Sequence, residues 1–184
     1  MNRVFILCSS VFVCWAFAQG HADEHFPFLG ETAKDAVHVR AGANTNFESL
    51  CKLGKGSQVV VVARHYEWYA VQLPAAVGVY IRADYIKEKG NNIGEITGDK
   101  VNIRARANSD SSPLGQLEQG ERVKLIEQVR LPDGQADGWW KIEPPLAVQG
   151  WVRADFISMT SAQVPADLVH PAITIPAAKP AAAK

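Results

Sequence analysis

Short apolar runs separated by polar turns recur from about residue 31 to residue 157, and none of them repeats with the 3.6-residue period of a helix. Gln58 to Arg64 (QVVVVAR) is β-branched along its centre and predicts a strand buried on both faces. Trp68 to Leu73 alternates less cleanly, and Val77 to Arg82 follows a Pro-Ala turn. Gly54-Lys55-Gly56 punctuates the strand before Gln58. The pattern is that of an all-β chain.

The pattern is also written twice. Val37-His38-Val39-Arg40-Ala41 matches Val101-Asn102-Ile103-Arg104-Ala105, and Leu50, Leu53, Gly56 and Val59 fall opposite Leu114, Leu117, Gly120 and Val123. Trp68 to Ile86 (WYAVQLPAAVGVYIRADYI) aligns without a gap with Trp139 to Ile157 (WWKIEPPLAVQGWVRADFI). The offset grows before Trp139, which gives the second copy a longer loop, Glu127 to Gly138, around the turn signal Pro132-Asp133-Gly134. Strands this short must close or cross to cover their edges, so each copy is expected to form a small, strongly bent barrel. The expected units are residues 31–86 and 95–157, joined by a polar linker at 87–94 (KEKGNNIG).

Composition narrows the possible partners. The 184 residues carry 19 basic and 19 acidic side chains, with no Lys/Arg run, which argues against nucleic acid and an anionic membrane surface. Residues 1–18 (MNRVFILCSSVFVCWAFA) join a cationic start, a short apolar run and Ala16-Phe17-Ala18, the pattern of a cleaved signal peptide. The run is too short for a firm membrane span, so none is expected after cleavage, and the chain is expected to be exported. Cleavage also removes Cys8 and Cys14; Cys51 then has no disulfide partner in the chain and is expected to be a small core residue. Residues 164–184, rich in Ala and Pro, lack a core pattern and read as a disordered tail.

VNIRARANSDSSPLGQLEQGERVKLI, then GWWKIE, then GWVRADFI, resembles a bacterial SH3 domain of the SH3b type, and the first copy resembles it a little less closely. The resemblance implies two tandem five-stranded SH3-like barrels, each with a 3₁₀ turn, near Ala83-Asp84-Tyr85 and Ala154-Asp155-Phe156. It also implies binding at the cell wall or outside the cell. In the polyproline-binding relatives of this fold a proline precedes a Ser-Asn-Tyr element; here Arg82 and Arg153 stand there.

No nucleophile with a base, pair of placed carboxylates or metal cluster is expected to act, and no cofactor is expected. Cys51 with His38 or His65 is the one thiol–imidazole option, and both histidines fall in strand-like segments. His21 and His25 around Asp23 and Glu24 have metal-ligand spacing only on a helix, which nothing there predicts. The informative side chains are aromatic. In each WY or WW pair one ring should enter the core and the other face outward. By analogy with related grooves, Trp68 and Trp139 are the outward choices, with Tyr85 and Phe156 opposite and Arg82 and Arg153 beside them. The arginines could bind a ligand carboxylate or pair with Asp84 and Asp155. The expected function is non-catalytic binding of peptidoglycan or its peptide stems in the periplasm or outside the cell. The alternative is a scaffold for another exported envelope protein.

Overall fold

A computed structural model describes residues 25–166 and 168, which form an all-β structure of fourteen strands and two 3₁₀ turns. The first five strands are β1 (Phe28–Thr32), β2 (Val37–Arg40), β3 (Ser49–Leu53), β4 (Gln58–His65) and β5 (Trp68–Gln72). Next come β6 (Val79–Arg82), the 3₁₀ turn Ala83–Tyr85, β7 (Ile86–Gly90), β8 (Ile93–Ile96) and β9 (Val101–Arg104). The last are β10 (Pro113–Leu117), β11 (Arg122–Arg130), β12 (Ala136–Ile142), β13 (Gln149–Arg153), the 3₁₀ turn Ala154–Phe156 and β14 (Ile157–Ser161).

These strands build two seven-stranded sheets, but the sheets do not follow the sequence copies. One runs β14-β1-β4-β5-β13-β2-β3, the other β10-β9-β6-β12-β11-β8-β7. The strand that ends each copy is exchanged into the sheet of the other. Arg82 of β6 stands opposite Trp139 of β12, and Arg153 of β13 stands opposite Trp68 of β5. Module A, as we call the first sheet, is therefore discontinuous, joining β1–β5 to β13 and β14. Module B is one stretch, Val79 to Ile142, inserted between β5 and β13. Both sheets have two free ends, so neither closes into a complete ring.

This corrects the expected boundaries. Residues 87–94 form a hairpin, with Lys87 opposite Glu95 and Glu88 opposite Gly94, instead of a linker. Gly90, Asn91 and Asn92 turn it at φ of 84°, 51° and 58°, the left-handed region that glycine and asparagine enter at least cost. The polarity of Lys87, Glu88 and Lys89 follows from place, because β7 is an edge strand and charge deters further pairing. The crossings, residues 73–78 and 143–148, carry Pro74 and Pro144-Pro145. Each proline lacks the N–H that a ladder needs, so pairing stops there and the chain is free to leave its sheet.

Burial follows the two-residue period: β2 and β9 each place two buried residues alternating with more exposed ones. Val39, Val61, Val71, Ile81, Ile142 and Val152 are fully buried in one hydrophobic cluster that runs through both modules. Burying each of these side chains contributes about 1.5–3 kcal/mol. A polar tie also joins the modules. The Glu48 carboxylate, before β3, accepts a bond from the Ser112 amide at 3.0 Å and another from its hydroxyl. The expected signal peptide at 1–18 lies outside the described residues, as does the tail except for residues 164–166 and 168. Among the described residues no helix is long and apolar enough to cross a membrane.

Candidate functional site

The strand period puts Trp140 and Ile142 on the core side of β12 and turns Trp139 to the other side; Tyr69 and Trp68 divide likewise in β5. The expectation that Trp68 and Trp139 would stand outward and open is corrected by their burial. They are 9% and 4% exposed. Arg82 is part of the cover over Trp139, its guanidinium carbon lying 5.6 Å from the ring centre. Such a stack is worth about 0.5–2 kcal/mol, the larger figure when water is excluded.

Strand exchange decides which predicted residues meet. Arg82 and Tyr85, from the first copy, join Trp139 of the second in one cleft of about 380 Å³ in module B. Lys100 and Arg104 add two cations to its lining, and Asp84 and Asp99 two anions. Arg82 Nη2 donates to Asp84 at 2.6 Å, and Arg104 Nη1 donates to the Ser111 carbonyl at 2.7 Å. Tyr85 remains 46% exposed. Positive charge beside an exposed ring suits a ligand that offers a carboxylate and a flat or apolar face.

Arg153 and Phe156 are exchanged the other way, Arg153 standing beside Trp68 in module A. Here the chain covers its own site. The Lys34 ammonium lies 4.9 Å from the centre of the Phe156 ring. Arg153 donates two bonds to Asp155 and reaches Glu67 at 3.2 Å. The bond to Asp155 raises the arginine's pKa further and lowers that of the Asp155 carboxyl. Next to this pair Tyr66 is 82% exposed at φ of 52°, its ring set edge-on to His65 with centres 4.6 Å apart. A tyrosine in the left-handed region is a strained turn residue.

Three contributors escaped the sequence reading. Lys100 and Arg104 line the module B cleft, and Gly98 leaves room for Tyr85, since a Cβ there would stand 3.1 Å from the ring. The 64-residue offset that aligns Val37 with Val101 places Gly98 opposite Lys34, and that difference was the available signal. His38 and Cys51 form no pair. Cys51 faces Val39 across the ladder while His38 faces Lys52, so their side chains leave opposite faces of the sheet. His38 shares a 2.7 Å bond with Ser49 instead. Burial holds the Cys51 thiol up at about 11.

Residues 99–158 match the bacterial SH3 domain family, a family often linked to peptidoglycan and cell-wall binding. The matched segment begins in module B and ends just after the second 3₁₀ turn, in module A, so it spans the strand exchange. No curated protein matches the chain.

Proposed function

We propose that this chain is a non-catalytic, exported binding protein of the cell envelope. Its first copy is a second SH3b-like unit, and its module B cleft holds peptidoglycan through the carboxylates of the peptide stems. The observation that carries this reading is the cleft itself, with Arg82, Lys100 and Arg104 gathered beside an exposed Tyr85 and the Trp139 ring. Arg82 is held by one carboxylate, so a ligand carboxylate can share or replace that pairing; Arg153 is held by two. The family match in the second copy supports the choice of ligand.

Co-sedimentation of residues 19–184 with purified peptidoglycan, at low and high salt, tests the reading. Pelleting is expected, weaker at high salt as screening weakens the carboxylate contacts. Arg82→Gln should reduce it several-fold, as loss of a charge-assisted bond does, with Arg153→Gln changing it less. Protein that stays in the supernatant at both salts would sink the proposal.

A further inference from the structure

The outer faces of the two modules differ at one cross-strand pair. Beside the core pair Leu125–Ile142 of module B stand Lys124 and Glu143, whose side chains form an ion pair at 2.7 Å. Beside the equivalent pair Val61–Val71 of module A stand Val60 and Gln72. Val60 lies between two core valines, so its side chain leaves the opposite face of the sheet, and Leu29 stands opposite it in β1. Both are nonetheless buried, Leu29 at 6% exposure and Val60 at 5%. A groove of about 370 Å³ opens here, lined by Val59, Val60, Gln72, Leu73, Pro74 and Leu168 among others. Gln72 brings it a polar atom, because its Oε1 is buried with no hydrogen-bond partner among the described residues. An unpaired buried acceptor is costly, so an occupant of the groove should bring a donor. Leu168 belongs to the C-terminal segment. After β14 the Gln163 amide donates to Ser161 Oγ at 3.0 Å, and the Leu168 amide to the Pro165 carbonyl at 3.0 Å. These two turns lead the chain from β14 to the groove beside β4.

We propose that this groove holds the next residues of the same chain, 169–176 (VHPAITIP), so that the C-terminal segment is a strap fastened onto module A. Three observations choose this occupant. Its first residue is bonded to a residue of the groove wall, so the segment meets the groove at high effective concentration. It carries no Lys, Arg, Asp or Glu, and Ile173 and Ile175 reach one face of an extended segment, which suits an apolar floor. Between Pro171 and Pro176 four amides can serve as the donor to Gln72 Oε1. Module B offers no such seat, because Lys124 and Glu143 are already paired with each other at the same place. This assignment does not rest on wall binding, because the groove shares no lining residue with the Arg82 cleft.

Nuclear magnetic resonance of the full mature protein tests the strap. Contacts between the Ile173 or Ile175 methyls and those of Val60 are expected, with backbone order parameters over residues 172–175 of about 0.85, as in rigid chain. At least one of these amides should exchange about tenfold or more slowly than in the free peptide VHPAITIP. Ile173→Asp with Ile175→Asp, both beyond β14, should keep the circular dichroism of the parent and drop the order parameters below about 0.6. Val60→Lys with Gln72→Glu copies the Lys124–Glu143 pair into module A and should release the segment in the same way. Order parameters below about 0.6 in the parent, or no change in either variant, would overturn the proposal. So would contacts to Val60 that vanish on dilution, since the segment would then lie in the groove of a second copy.

Discussion

Module A and module B are assembled from equivalent strands and turns, yet the chain covers the surface of one and leaves the other bare at two separate places. Lys34 lies over Phe156 in module A, while Gly98 leaves Tyr85 open in module B. Phe26 and Phe28 stack around Tyr69, while Asn92 leaves Trp140 at the edge of a large cleft. The core positions of the two modules, in contrast, keep their apolar character, with Val39, Val61 and Val71 answered by Ile103, Leu125 and Ile142. Packing constrains those positions in both modules, because a close-packed interior registers even one methylene. Surface positions carry no such constraint, so the two copies are free to differ in what they bind. On our reading, module A is the structural partner and module B the binding one.

The largest effect should come from removing β13 and β14. A chain that stops after Val148 takes from module A the neighbours of β5, β2 and β1, while every strand of module B remains. Native-state hydrogen exchange should show loss of protection in β1–β5 and persistence in β8–β12. If each copy folded on itself, the same truncation would spare β1–β5 and expose the second copy. That pattern would break the comparison at its root.

The exchange explains why so much of the fold was legible in the sequence and this one feature was not. Strand positions follow from apolar period and turn residues, which each copy carries for itself. Choice of partner does not: Trp68 and Trp139 hold equivalent places in β5 and β12, and either could accept Arg82 or Arg153 opposite it. The hairpin at residues 87–94 was obscured for another reason, since an edge strand reads as a linker when its exposed positions are charged. Asn91-Asn92 was the hairpin signal present there. At the site, alternation separates each tryptophan from its neighbour, Trp68 from Tyr69 and Trp139 from Trp140. It could not give their burial, which depends in part on an arginine brought from the other copy.

Single core substitutions sharpen the same point. Val152 belongs to the second copy but is fully buried in module A, and Ile81 belongs to the first copy but is fully buried in module B. Ile81→Ala should cost about 2–5 kcal/mol and Val152→Ala somewhat less, about 2–3 kcal/mol. Denaturant melts give the total, and hydrogen exchange gives the place. The expected result is that Val152→Ala weakens β1–β5 more than β9–β12, and Ile81→Ala the reverse.

The tie between the modules should respond to pH. Bonds from the Ser112 hydroxyl and then its amide hold the Glu48 carboxyl below its ordinary value of 4.5. A lowered folded pKa means that the stabilisation is fully present above 4.5 and is lost as pH falls through the folded value. Glu48→Gln should therefore lower stability at pH 7 by about 1 kcal/mol, because the amide oxygen still accepts a bond from Ser112 but the charge assistance is lost. It should also flatten the fall in stability below pH 4.5, in melts followed by circular dichroism. An unchanged acid limb would separate Glu48 from the coupling of the modules.

The smallest effect tests whether a difference at the core face matters at all. Cys51 in β3 and Gly115 in β10 occupy one position, each opposite the middle of its partner strand, Val39 and Ile103. Cys51 contributes a half-buried neutral thiol, held up at about 11. Its alkylation at pH 8 should be slow in the native protein and fast after unfolding. At Gly115 a Cβ would meet only Val148 Cγ2, at 3.6 Å, an ordinary contact. Gly115→Ala should therefore fit without strain and stabilise module B by about 0.4–1 kcal/mol, chiefly by restricting the unfolded chain. A gain read in the denaturant midpoint would mean that the glycine is a tolerated weakness in module B. A loss would mean that β10 needs glycine for a closer approach than the Val148 contact reveals, and the two modules would then differ in packing as well as in surface.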